Sequence, residues 1–189
     1  MPIFDLERFI SDCQQAVERP VPSAVVKKLV QDAVADPRGL KAAIASRSGH
    51  GSLRDAVLFR SETLTVLPAV TSPGLRTPAH DHQMWAVIGV IDGEEPNDFF
   101  VDGEEGLQYK SSRVLRQGDV AVLDGNTIHA ISNPLSVNCH AIHVYGGDLV
   151  TRQGRSMWNP FTKAREPYDI DRLSAYIREM RVQPGTPVG

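Results

Sequence analysis

Five of the six histidines lie between residues 80 and 143, and two of them, His80 and His82, are separated by one residue. If this stretch is a β-strand, both side chains leave the same face, because strand residues alternate between faces. Their ring nitrogens could then bind one metal ion at the roughly 2.0–2.2 Å that is typical of histidine ligands. A pair of surface histidines in a turn is the alternative interpretation of so short a motif.

Two stretches resemble the two sequence motifs of the cupin superfamily. Residues 74–82 contain Gly-(x)5-His-x-His, and residues 118–133 have glycine, histidine and asparagine at the matching positions. The resemblance covers roughly residues 64–147 and implies a mainly β fold, the cupin double-stranded β-helix or RmlC-like jelly-roll barrel, with N-terminal helices and a C-terminal helix. The metal ligands that it implies are His80, His82 and His129.

The neighbourhood of these histidines lacks the glutamate that many cupins add a few residues after His-x-His. Residues 85–87 are Trp, Ala and Val, and Glu94 and Glu95 lie beyond Gly93 in a predicted turn. The expected ligand set is therefore three neutral histidines and no carboxylate. Such a set leaves the full charge on a divalent ion, so it favours an anionic ligand such as a thiolate.

Within the cupins, the chain resembles the thiol dioxygenases, a three-histidine group with cysteine dioxygenase, mercaptopropionate dioxygenases and uncharacterised bacterial relatives. The matching stretches are residues 77–85, 128–134 and 143–148. The resemblance implies Fe(II), which Ni, Zn or another divalent metal could replace in a recombinant sample. It also implies that a small thiol and O2 react to give a sulfinic acid.

The same resemblance implies catalytic roles for His143 and Tyr145, which match the end of a Ser-x-His-x-Tyr run beside the iron. Ala141 stands where that run has serine. Strand alternation independently puts His143 and Tyr145 on one face of a strand at 137–145 and His140 on the other. An ordinary hydrogen bond in the core is the alternative interpretation of this pair.

Three further residues are predicted to contact the substrate. Arg60 matches the basic residue with which the family holds the substrate carboxylate, and a guanidinium fits a carboxylate through two hydrogen bonds; the alternative is a surface salt bridge. Met84 and Trp85 are predicted to line the cavity, with a place in the barrel core as the simpler alternative. Cys13 and Cys139 are interpreted as small buried residues.

The elements that must position these residues change in character near residue 53. Helical spacing of apolar residues and three prolines predict short helices over the first fifty residues, and residues 46–52 form a loop by composition. Alternating apolar runs with frequent turn residues then predict strands. Those strands lie at residues 56–59, 64–71, 77–82, 84–91, 98–101, 107–115, 119–123, 130–132 and 136–145. A polar loop and a helix at 169–181 follow.

These patterns divide a single domain into three parts. Residues 1–52 are a helical segment packed on the barrel, residues 53–148 are the barrel, and residues 149–189 are a C-terminal extension. The net charge of −3 among 189 residues gives no basic surplus for nucleic acid, and no apolar run approaches the roughly 20 residues of a membrane span. We therefore expect neither nucleic acid nor a membrane as a partner. Two isolated cysteines fit a reducing compartment, so we expect a cytoplasmic protein, as a monomer or homodimer; the resemblance implies a small thiol and O2 as its partners.

Two other classes of function remain open at this stage. A non-catalytic metal-binding cupin could bind or sense a small ligand, and Ala141 in place of the serine favours that class. Another metal-dependent cupin enzyme could catalyse an isomerisation or an oxidative cleavage of a carbon skeleton.

Overall fold

The computed structural model describes residues 4–47 and 57–181. In these ranges the chain forms helices first and antiparallel strands afterwards. The helices are α1 (Leu6–Ala16), α2 (Pro22–Val34), α3 (Pro37–Arg47) and, near the C-terminus, α4 (Ile170–Met180). The strands are β1 (Phe59–Arg60), β2 (Thr65–Thr71), β3 (Ala86–Asp92), β4 (Glu94–Gly103), β5 (Gly106–Arg116), β6 (Val120–Leu123), β7 (Ile128–Ile131), β8 (Cys139–Tyr145), β9 (Ser156–Trp158) and β10 (Arg165–Pro167).

Two antiparallel sheets form the barrel. The first has the strand order β1-β2-β8-β3-β6 and the second the order β5-β4-β7. Residues 76–80 continue the second sheet on the free side of β7, through bridges from Arg76 to Ser132 and from His80 to His129. Strands that are distant in sequence are thus neighbours in both sheets, which is the double-sheet jelly-roll arrangement. The predicted mainly β fold, a double-stranded β-helix with N-terminal helices and a C-terminal helix, is confirmed.

The first sheet separates two hydrophobic clusters. Its inner face, with Ile88 and Leu67, contributes to the interior of the barrel, while Val87 and Ile142 on its outer face pack against α1, α2 and α3. Helix α2 approaches so closely that a Cβ on Gly89 would lie 2.4 Å from Cγ1 of Val30. The helices therefore cover the outer face of the sheet, and the inner face remains available to the site.

Strand β4 begins four residues earlier than the sequence pattern predicts. The predicted turn is confined to Gly93, whose φ of +81° suits glycine, and Glu94 already pairs with Arg116 of β5. Glu95 is therefore a strand residue, and it shares the inward face with Asn97, which is also buried. Glutamate disfavours strands on intrinsic propensity, and the pairing of β4 with two neighbours overrides that preference here.

The predicted loop after residue 148 contains a hairpin made of β9 and β10. The Trp158 amide donates to the Ala79 carbonyl over 2.9 Å, and the Asp81 amide donates to the Ser156 carbonyl over 3.0 Å. The C-terminal extension therefore lies directly beside the segment that carries His80. That segment forms isolated bridges rather than the predicted strand at 77–82.

Some sequence predictions lie outside the described residues. They include His50 and the end of its loop, the boundary at residues 52 and 53, the first residue of the predicted strand at 56–59, and the tail after residue 181. Within the described residues, no helix has the length and apolar character needed to span a membrane.

Candidate metal centre

Three histidines meet inside the barrel. His80 and His129 face each other on adjacent chain segments and exchange two backbone hydrogen bonds of 2.9 and 3.0 Å. His82 follows two residues later, and all three side chains are buried. One ring nitrogen from each lies within 4.8 Å of the other two, and Nε2 of His82 is 3.0 Å from Nε2 of His129. The residues predicted from His-x-His and the second motif are thus brought together.

The burial of these rings keeps them uncharged. Burial lowers the pKa of His80 to about 4, with smaller contributions from Arg155 and His143. Burial also lowers the pKa of His82 and of His129 well below the ordinary value, and the neighbouring imidazoles act in the same direction. A neutral imidazole has one nitrogen with a free lone pair, which is the form that binds metals.

Hydrogen bonds select which nitrogen is free in two of the rings. Nδ1 of His80 donates to the Pro78 carbonyl over 3.1 Å, and Nδ1 of His129 donates to Oδ1 of Asn97 over 2.9 Å. Because these oxygens only accept, each Nδ1 carries the proton and each Nε2 keeps its lone pair. In His82, Nδ1 has no partner among the described residues.

This donor set fits a divalent metal ion. Two nitrogens at about 2.1 Å from one ion and at right angles to each other lie roughly 3.0 Å apart, which matches the His82–His129 separation of 3.0 Å. No carboxylate of the described residues joins the cluster. Imidazole ligands suit several metals, among them iron, nickel, copper and zinc.

The predicted pair His143 and Tyr145 lies beside this cluster. The ring of Tyr145 is 5.0 Å from that of His82, and its hydroxyl is 2.9 Å from Nδ1 of His143. Burial raises the pKa of Tyr145, so the phenol keeps its proton. His140 faces the other way and bonds Asp92 over 2.6 Å. The alternation of β8 thus puts the pair on the side of the cluster.

A buried carboxylate that the sequence analysis did not select also reaches this region. Glu95 lies 3.5 Å, through Oε2, from Nε2 of His143, and its Oε1 accepts a hydrogen bond from Asn97 over 3.1 Å. Burial raises the pKa of Glu95, but interactions with His143 and Asn97 outweigh it and hold that pKa below its usual value. The alternation Glu95-x-Asn97 would have indicated this pair if β4 had been extended back to Gly93.

Arg60 does not carry a free guanidinium. Its Nε and Nη2 bond the two carboxylate oxygens of Asp148 over 2.7 and 2.8 Å, and its side chain is 40% exposed. Burial opposes the pKa shift of Asp148, but the bonds with Arg60 hold that pKa well below its usual range. This contact is the surface salt bridge weighed as the alternative, and a contact of Arg60 with substrate stays a prediction.

A different arginine lies next to the cluster. Arg155 is 8% exposed, and its Nε and Nη1 donate to the backbone carbonyls of Asp81 and Leu149 over 3.2 and 3.1 Å. Its guanidinium carbon is 3.6 Å from the centroid of the Tyr168 ring, which is 6.4 Å from the ring of His80. No carboxylate within residues 4–47 and 57–181 forms an ion pair with Arg155.

Arg155 and Tyr168 line a cavity of about 590 Å³. Most of the other walls are apolar side chains of the barrel and of α4, among them Leu67, Leu149 and Leu173. The cavity thus combines apolar walls with the buried guanidinium of Arg155, and Asp171 of α4 adds a carboxylate to the same walls; none of the three histidines lines it. The sequence offered no periodic signal for Arg155, because it lies in an irregular segment between Gly154 and β9.

Met84 and Trp85, the two remaining residues predicted to line the cavity, pack in different hydrophobic clusters. Met84 packs in the cluster inside the barrel, while Trp85 packs against the cluster between the sheet and the helices, and a Cβ on Gly146 would collide with its indole. The structure therefore does not bring Trp85 to the metal centre. Cys13 and Cys139 are buried free thiols whose pKa burial raises to about 12.

Comparison with known proteins gives a distant likeness only. No protein-family model matches the chain. Similar solved structures include an RmlC-like cupin with a double-stranded β-helix fold from Methanocaldococcus jannaschii (16% identity, TM-score 0.41, 50% of this chain and 79% of that one). They also include oxalate decarboxylase from Bacillus subtilis (15%, 0.41, 51% and 24%) and an oxalate oxidase in complex with glycolate (17%, 0.41, 54% and 56%). Similarity at this level carries no argument about activity.

Proposed function

We propose that this protein is a metal-dependent enzyme, with Fe(II) as the working metal, that oxidises a small carboxylate-bearing thiol to a sulfinate. In the reaction, RSH and O2 give RSO2H. The O–O bond breaks, two S–O bonds form, sulfur loses four electrons to oxygen and the thiol proton ends on the sulfinate. The observation that carries the proposal is the cluster of three neutral histidines with the ring of Tyr145 packed beside it.

The charge of the centre favours an anionic substrate. The three neutral imidazoles supply no negative charge to a divalent ion, and the buried carboxylate of Glu95 lies against His143 rather than in the cluster, while Arg155 adds a buried positive charge. A buried charge without a partner is costly, so a ligand that neutralises it gains affinity. A molecule with a thiolate at one end and a carboxylate at the other would neutralise both the metal ion and Arg155.

The chain's own residues would act on such a substrate in distinct ways. Arg155, held by two backbone carbonyls and stacked on Tyr168, would bind the carboxylate. Tyr145 would hydrogen-bond to the reacting end, held by His143. The apolar walls contributed by Leu67 and Leu149 would exclude water. A bound iron ion would supply the thiolate and oxygen activation that organic side chains lack.

An oxygen-uptake assay tests the proposal. The protein is loaded anaerobically with Fe(II), mixed with cysteine, mercaptopropionate or cysteamine, and then exposed to O2, with the sulfinate identified by mass spectrometry. We expect O2 consumption and sulfinate formation in equal amounts with a carboxylate-bearing thiol. No O2 consumption with any of the three thiols would count against thiol oxidation.

A second candidate is a metal-binding protein that binds a small ligand without turnover. The observation that favours it is Ala141, because this alanine offers no hydroxyl to His143 where the resembling enzymes have serine. Such a protein would bind an anionic thiol in the same cavity and consume no O2. A third candidate, another metal-dependent reaction, would require turnover of a substrate without a thiol.

A further inference from the structure

Glu95 is a fully buried carboxylate outside the histidine cluster, and it contacts two residues beside that cluster, Asn97 and His143. Its Oε1 accepts a hydrogen bond from Asn97, and its Oε2 lies 3.5 Å from Nε2 of His143. Neither Oε2 nor this Nε2 has a hydrogen-bond partner among the described residues. Buried polar atoms generally have a hydrogen-bond partner. Oε2 of Glu95 and Nε2 of His143 would form a hydrogen bond of ordinary length if the distance between them shortened by roughly half an ångström.

The contact with Asn97 determines the orientation of one metal ligand. An ionised carboxylate only accepts hydrogen bonds, so Asn97 turns its NH2 group to Glu95, whose backbone carbonyl accepts from the same group over 3.2 Å. Its Oδ1 then faces His129 and accepts from Nδ1 over 2.9 Å. That bond fixes the proton on Nδ1 and leaves Nε2 of His129 with a lone pair for the metal.

The contact with His143 determines the direction of a second hydrogen bond. Facing a carboxylate, Nε2 of His143 must carry a proton, and in the tautomer whose single proton is on Nε2 the other nitrogen, Nδ1, is an acceptor. In that tautomer the Tyr145 hydroxyl donates to Nδ1 over 2.9 Å. The lone pairs of the phenol oxygen then remain for a donor on the side of the cluster. Ala141 cannot provide this orientation, because it has no polar side chain.

We propose that Glu95 is a positioning residue that sets the metal-binding tautomer of His129 through Asn97 and the direction of the Tyr145 hydrogen bond through His143. This inference rests on the metal centre of the proposed function and not on thiol oxidation. One carboxylate would then fix two features of the site, the tautomer of His129 and the direction of the Tyr145 hydrogen bond.

The substitution Glu95→Gln separates the two contacts. An amide has one accepting end and one donating end, so it cannot accept from Asn97 and His143 at the same time. Either Asn97 must turn its amide group around, or His143 must move its proton from Nε2 to Nδ1. The matched control is Glu94→Gln, because Glu94 pairs with Arg116 over 3.2 Å away from the cluster. Both variants lose one negative charge from the same strand.

The test reads ring protonation directly, by ¹⁵N NMR of histidine-labelled protein, metal-free and loaded with Zn(II). Zn(II) affinity is measured alongside by competition with a chelator. In the wild type and E94Q we expect the proton on Nε2 of His143 and on Nδ1 of His129. In E95Q at least one ring should change tautomer. If that ring is His129, Zn(II) should bind about 10-fold more weakly or worse; if it is His143, Zn(II) affinity should stay near the wild-type value. Wild-type tautomers and wild-type affinity in E95Q would overturn the proposal.

The wild-type spectrum decides the matter alone if E95Q does not fold. A proton on Nε2 alone of metal-free His143 supports the proposal, and a proton on Nδ1, with or without one on Nε2, overturns it. The readouts also distinguish this inference from the proposed function. Absence of thiol oxidation leaves ring protonation and Zn(II) affinity unaffected, whereas a wild type that binds no Zn(II) contradicts the metal centre itself.

Discussion

The side-chain oxygen of Asn97 lies 2.9 Å from Nδ1 of His129 and holds that imidazole with Nε2 towards the other two histidines. Partners of this kind, one bond removed from the metal, typically change metal affinity 10- to 100-fold when they are removed. We therefore expect Asn97→Leu, which fills the same space without an acceptor, to weaken Fe(II) or Zn(II) binding by about 10-fold or more. A competition titration with a chelator measures the metal affinity of the variant.

The same substitution at exposed Asn138 is the control for that experiment. Asn138 lies on the surface before β8, so Asn138→Leu should leave metal affinity unchanged. Equal affinities of the two variants would show that the contact between Asn97 and His129 has no part in metal binding.

The two arginines make opposite predictions about substrate binding. Arg155→Met removes a buried guanidinium, and hydrogen bonds to charged groups contribute about 1.5–3 kcal/mol. We expect the KM for a carboxylate thiol to rise about 10- to 100-fold, with little change for cysteamine, which has no carboxylate. Arg60→Met breaks a half-exposed pair with Asp148 and should leave both KM values unchanged. A large rise in the KM for the carboxylate thiol in Arg60→Met alone would instead support the role in carboxylate binding that the sequence predicts for Arg60.

Removing the Tyr145 hydroxyl separates an enzyme from a binder. Tyr145→Phe keeps the ring that packs 5.0 Å from His82 and deletes the group bonded to His143. If the hydroxyl acts on the reacting atoms, O2 consumption should fall about 100-fold, within the range of a positioned proton donor or acceptor. Metal affinity and thiol affinity, from titrations of the same sample, should stay close to wild type. An unchanged rate would exclude a catalytic role for the hydroxyl.

The packing of helix α2 on the barrel makes a prediction about stability. A Cβ on Gly89 would lie 2.4 Å from Val30 and 2.9 Å from Val34, so Gly89→Ala must displace the helix or the strand. Overpacking of this kind typically costs about 1–3 kcal/mol. Urea denaturation should show that loss of unfolding free energy. Gly103→Ala is the control, because a Cβ there meets nothing within 4 Å.

The parts of the site that sequence predicts are those with short, regular spacing. His80 and His82 share a face because of their separation, and His129 is matched by the second motif. The alternation within β8 was sufficient to separate His143 and Tyr145 from His140, because all three lie in one regular strand.

The parts that sequence misses depend on contacts between distant segments. The sequence predicts a turn that contains Glu95, because Glu95 follows closely after Gly93, yet pairing with β5 makes it a strand residue. Arg155 reaches the cluster only because β9 lies beside His80. Arg60 matched a family position by type, but nothing in the local sequence reveals that Asp148, 88 residues later, bonds its guanidinium.

The most direct test of the metal centre is the metal content of the protein. Wild-type protein and the variant His129→Ala are each incubated anaerobically with excess Fe(II), desalted and analysed for iron. Three neutral ligands converging on one point predict about one iron per wild-type chain and strongly reduced iron in the variant. Iron content that is near zero in the wild type, or equal in both proteins, would contradict a metal bound by His80, His82 and His129.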